Sequence, residues 1–130
     1  MTSLPSQVLY VEDDPVSTLL MRGIVELRSA CQLRVARSGA EARRRLAEGP
    51  VDLVLCDLHL PDIEGSDLLA LLRDAGLPMH VPALLVTAEP DRVAGELAAR
   101  HGYRGHWCKP LDLAATLKDL DRWLGRPPAS

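Results

Sequence analysis

Glu12, Asp13 and Asp14 stand together early in this chain, Asp57 and Thr87 each close an apolar run further on, and Lys109-Pro110 follows a last one. Acids crowded into one place repel each other unless protons or a cation neutralise them. A hard divalent cation suits such an oxygen donor set, and a carboxylate left facing it can attack a phosphoryl group. One ammonium group and one hydroxyl complete a set suited to holding phosphate oxygens. For that chemistry to happen, residues nearly 100 positions apart must meet, so the elements between them must be ordered.

The 130 residues and 14.2 kDa fit one domain. With 47% hydrophobic and 25% charged residues the chain reads as globular rather than disordered. A net charge of −3 excludes the basic footprint of a nucleic-acid binder, and Arg43, Arg44 and Arg45 read as a solvated helix face. Cys31, Cys56 and Cys108 have no framework spacing, which points to a reducing compartment. The first residues carry neither a charged n-region nor an apolar h-region, and no apolar run could span a membrane. A cytoplasmic protein is expected.

Short apolar runs alternate with longer helical stretches. Val8–Val11 reads as a strand covered on both faces, and Asp14 with Pro15 starts a helix. Val16, Leu19, Leu20, Gly23 and Leu27 follow at helical spacing and are expected to face inward. Met21 and Val25 then fall on the opposite side, where they would mark a partner-docking patch with Pro110 and Leu111. Leu33–Ala36 is a weaker strand suited to an edge. Ser38 caps a helix to about Glu48, with Ala42 and Leu46 inward. Strands at Val51–Cys56, Ala83–Thr87 and Tyr103–Cys108 alternate with helices starting after Gly65, at Pro90-Asp91, and over Leu111–Leu124.

Five strands alternating with five helices predict an α/β fold with a doubly wound parallel sheet and helices on both faces. Ligands of such sheets bind beyond the carboxyl ends of the strands. Glu12 and Asp13, Asp57, Thr87 and Lys109 all fall there. Residues 1–6 are expected to be a flexible leader, 7–124 the domain, and 125–130 a disordered tail or linker stub.

Leu9–Pro15, Leu55–Pro61 with Gly65, Leu85–Ala88 and Trp107–Pro110, in this order and spacing, resemble the response-regulator receiver domain of two-component signalling, a CheY-like, flavodoxin-type fold with strand order 2-1-3-4-5. The resemblance implies Asp57 as phosphoacceptor. It makes Asp13 a direct Mg²⁺ ligand, aided by Glu12 through water and by the backbone carbonyl of His59. Thr87 becomes the hydroxyl that moves to the phosphoryl group, and Lys109 the cation that pairs with its oxygen. A cis Lys109-Pro110 bond is implied too, as are a histidine kinase or histidine phosphotransfer protein as donor, a downstream protein target, and the option of a homodimer.

Four positions stand out. Glu12 replaces the commoner aspartate, and His106 occupies the position of the aromatic residue coupled to the Thr87 hydroxyl. His59 and Glu89 fill two positions that tune phosphoryl lifetime in this family. Two other readings compete. One is a degenerate receiver acting as a constitutive interaction module. The other is an aspartyl-phosphate phosphatase of the haloacid-dehalogenase type, which requires a second aspartate where His59 stands. Zinc held by Cys56, His59, His106 and Cys108 is disfavoured because the spacing matches no closed site.

Overall fold

The computed structural model describes residues 5–125. Strands β1 (Ser6–Val11), β2 (Cys31–Ala36), β3 (Leu53–Asp57), β4 (Ala83–Thr87) and β5 (Gly105–Cys108) alternate with helices α1 (Pro15–Val25), α2 (Gly39–Leu46), α3 (Gly65–Asp74), α4 (Asp91–Arg100) and α5 (Leu113–Trp123). The sheet is wholly parallel, as the alternation of strands and helices predicts, and its order β2-β1-β3-β4-β5 is the one the family resemblance implies. β1 extends two residues before its apolar run, because the Ser6 N–H reaches the Ala30 carbonyl at 2.7 Å and the strand pairs along its whole length with β2. The expected leader and tail otherwise lie outside the described residues.

Alternation along the strands builds two cores. Leu9, Val11, Val54, Cys56 and Leu85 face Ala42, Leu68, Leu72 and Ala98 of α2, α3 and α4. Val8, Tyr10, Leu53, Leu55, Leu84 and Val86 face Met21, Val25 and Leu120 of α1 and α5. Every residue of β3 and β4 is buried, which accounts for their uninterrupted apolar runs.

Local chemistry starts the helices that frame the site. Asp14 accepts the Ser17 N–H at 3.0 Å ahead of Pro15, and Ser38 accepts the Glu41 N–H at 3.1 Å. Asp62, from the loop after β3, adds bonds to the Gly39 and Ala40 N–H groups at 2.8 and 3.0 Å. Those bonds hold its carboxyl below the usual range. Gly65 opens α3 where nothing larger fits: a Cβ there would overlap the Asp57 carbonyl oxygen and stand 2.7 Å from Leu58 Cα.

One expectation is reversed. Met21 and Val25 are fully buried, whereas Val16, Leu19, Leu20 and Leu27 are 58–72% exposed. The docking patch therefore cannot include Met21 and Val25. Apolar residues occupy both sides of α1, so their spacing alone leaves its rotation open. Polar anchors settle it. Ser17 Oγ lies 3.4 Å from Lys109 Nζ, and Arg28 donates two bonds, 2.9 and 2.8 Å, to buried Asp121 of α5. A stripe drawn from Ser17 to Arg28 passes through Met21 and Val25. Pro110 is exposed and Leu111 half-buried, so only these two of the four patch residues remain at the surface.

Candidate functional site

The carboxyl ends of β1, β3, β4 and β5 bring the predicted residues to one rim. Lys109 begins just beyond β5, its N–H bonded to the Thr87 carbonyl at 2.8 Å, and its peptide bond to Pro110 is cis. Its ammonium reaches across to Glu12 Oε1 at 2.5 Å and Asp57 Oδ1 at 3.6 Å. Glu12, Asp13 and Asp57 each place a carboxylate oxygen within 4.8 Å of the others. Asp14 is not part of this set; it caps α1, where Ser17 lowers its carboxyl pKa.

Burial divides the acids. Glu12 is buried and Asp57 nearly so, while Asp13 is open to solvent. Burial first, and then the hydrogen bond and negative charge of Glu12, push the Asp57 carboxyl up to about 6 against the opposing pull of Lys109. Burial also works against the Lys109 ammonium. Bonding to Glu12 and the charges of Asp57 and Glu12 outweigh it and hold the pKa above the ordinary lysine value. Three carboxylates and one ammonium leave an acidic excess, and all the remaining donors are oxygens. That set fits a small hard dication such as Mg²⁺, which takes few protein carboxylates and keeps waters.

Tyr10 is the site residue that sequence reasoning missed. Its buried hydroxyl donates to Glu12 Oε1 at 3.1 Å, and burial followed by the Glu12 charge raises the phenol pKa, so it stays a donor. Glu12 is thus tied to both Tyr10 and Lys109 through the same oxygen. The available signal was a lone tyrosine in an aliphatic strand, two positions before an acid and therefore on its face.

Thr87 is buried at the end of β4 and accepts the Glu89 N–H on its hydroxyl at 3.1 Å. Ala88 is exposed and leaves the rim open. His59, on the loop after β3, has an exposed ring 3.3 Å from Glu64. His106 lies apart from Thr87's hydrogen bond: its Nε2 meets Asp91 Oδ1 of α4 at 2.8 Å. Trp107 is buried on the other sheet face, donating to Asp119 at 2.7 Å. His106 and Cys108 gather with Asp91, not with Cys56 or His59. Cys56 is fully buried and its thiol is pushed up to about 12, chiefly by burial, which makes it inert.

The chain as a whole is matched elsewhere. The response regulator receiver domain pattern aligns with residues 8–121. The polar-differentiation response regulator DivK of Brucella anthropi is 28% identical over 122 residues, covering 94% of this chain and 98% of that protein. The receiver domain of sensor histidine kinase PA1611 from Pseudomonas aeruginosa PAO1, solved with magnesium coordinated in its active site cleft, superposes with a TM-score of 0.79 at 24% identity. That match covers 93% of this chain and 98% of the other. The receiver domain of Ssk1 from Saccharomyces cerevisiae, co-crystallised with the histidine phosphotransfer protein Ypd1, gives a TM-score of 0.78 at 23% identity over 95% of this chain and 91% of the other. With that pattern running through nearly every element described above, the chain belongs to the response regulator receiver domain family, the receiving modules of two-component and phosphorelay signalling.

Proposed function

We propose that this receiver accepts a phosphoryl group on Asp57 from the phosphohistidine of a histidine kinase or phosphotransfer protein. The supporting observation is the Lys109 ammonium seated between Glu12 and Asp57, with Asp13 completing an acidic cluster at the sheet rim. Asp13 and Asp57, the His59 carbonyl and, through water, Glu12 would hold Mg²⁺. The ion supplies charge neutralisation for the transferring oxygens.

The chain's own residues do the rest. An Asp57 carboxylate oxygen forms the new O–P bond as the N–P bond of the phosphohistidine breaks, the bonding pair stays on the ring nitrogen, and the imidazole leaves neutral with a proton taken up from solvent. Lys109 then pairs with a phosphoryl oxygen while Glu12, held by Tyr10, keeps the ammonium in place. The Thr87 hydroxyl, now an acceptor for the Glu89 N–H, turns to donate to the new oxygens. A contact made only in the phosphorylated state shifts the conformational equilibrium, and that shift is the signal passed on. The domain assists its own phosphorylation and dephosphorylation rather than turning over a separate substrate. His59 and Glu89 flank the approach and tune how long the acyl phosphate lasts. The signalling unit spans residues 7–124 in the cytoplasm, with a protein target downstream.

The test is intact-mass analysis after incubation with acetyl phosphate and Mg²⁺. The native chain gains one phosphoryl mass and Asp57→Asn gains none. An equal gain in that variant removes Asp57 from the role.

A further inference from the structure

Outside the acidic rim, one other group of ligand-bearing side chains converges. His106 and Cys108 sit two apart on β5, so both point to the same sheet face, the one covered by α4. Asp91, the first residue of α4, meets them there, with Oδ1 2.8 Å from His106 Nε2 and 3.9 Å from Cys108 Sγ. All three ligand atoms lie within 4.8 Å of one another.

We propose that Asp91, His106 and Cys108 form a second metal site, for Zn²⁺ or a similar thiophilic dication. Thiolate and imidazole are the donors that select zinc over Mg²⁺, and zinc accepts a carboxylate beside them. A tetrahedral ion bonded at about 2.0–2.3 Å sets its ligands about 3.3–3.8 Å apart, so the observed spacing needs only small side-chain rotations. Asp91 has the freedom to make them: its side chain is 89% exposed, and its polar side-chain contacts among the described residues are with His106 and Cys108. Among the described residues no lysine or arginine pairs with that carboxylate. Lys109 turns to Glu12, and Arg92 pairs with Glu96. The His106 ring is half-buried against Gly95 of α4, where a Cβ would stand 3.4 Å from its Cε1, so the imidazole is already oriented. Three protein ligands leave the solvent side for a water, the pattern of an open site. Binding releases the Cys108 thiol proton, and any proton on His106 Nε2, to solvent. The bound ion then fastens the first turn of α4 to β5.

Co²⁺ titration of the reduced full chain, with Mg²⁺ in excess to fill the acidic rim, tests this. A thiolate-to-cobalt charge-transfer band saturates at one equivalent and is displaced by Zn²⁺. Cys108→Ser abolishes it, and Asp91→Asn and His106→Ala each weaken Co²⁺ binding about tenfold or more. No band in the native chain, a band surviving Cys108→Ser, or unchanged affinity in the surface variant Asp91→Asn would overturn the site. The band is read without any phosphodonor, so it stands or fails separately from the labelling of Asp57.

Discussion

Two clusters of three ligand-bearing groups lie at or near the same end of the sheet, and they differ in what already neutralises them. At the rim, Glu12, Asp13 and Asp57 are all oxygen donors, and Glu12 and Asp57 share Lys109. Beside α4, Asp91, His106 and Cys108 mix oxygen, nitrogen and sulfur, with no lysine or arginine ion-paired to them among the described residues. Donor type separates hard from thiophilic guests. The resident ammonium does more: in the proposed function it holds the transferred anionic oxygens, whereas the proposed site beside α4 has no such partner among the described residues.

The largest effect expected from disturbing this contrast comes from Lys109→Ala. Loss of one charge-stabilising donor slows phosphorylation by acetyl phosphate about 10²–10³-fold, measured by intact mass over time. It also leaves Glu12 buried without its cation, so denaturant unfolding reports a loss of about 1–3 kcal/mol. Equal phosphorylation rates would mean that Lys109 is merely structural.

Crossed metal titrations sharpen the contrast next. Asp13→Asn weakens Mg²⁺ binding, followed by tryptophan fluorescence, about tenfold or more and leaves the cobalt–thiolate band intact. Cys108→Ser does the reverse. If either variant disturbs both responses equally, the two clusters are one coupled unit and the separation fails.

The smallest effect is on pH dependence. Asp57 has a folded pKa near 6, raised from 3.8, so its contribution to stability is fully present below the unfolded value and is lost as pH rises through 6. Without metal the protein is therefore less stable at pH 7 than at pH 4–5 on account of this group. Asp57→Asn removes that slope and stabilises the metal-free protein at pH 7 by about 1 kcal/mol, the full shift being discounted for solvent at the rim. Thermal melts at the two pH values, with and without Mg²⁺, show whether the slope depends on Asp57.

The parallel sheet, and the placement of Glu12, Asp57, Thr87 and Lys109 at strand ends, were legible because buried parallel strands write themselves as apolar runs and their ends carry the polar residues; the lateral order of the strands came only with the family resemblance. α1 was not legible in its rotation. Leu19 and Leu20 are as apolar as Met21, and the tie is broken by Ser17 beside Lys109 and Arg28 on Asp121, contacts 92 and 93 positions distant in sequence. Tyr10 escaped notice for a similar reason: its fit to strand propensity hid its hydroxyl's bond to Glu12. The partnership of Asp91 with His106 and Cys108 depends on how α4 lies over β5, which no local spacing encodes.

The central claim, that distant strand ends assemble one phosphoacceptor site, is tested most directly by borohydride trapping of the acetyl phosphate-treated chain followed by peptide mapping. The account predicts reduction of a single aspartyl phosphate at position 57. Reduction at Asp13, Asp14 or any other carboxylate, with Asp57 unmodified, would contradict it.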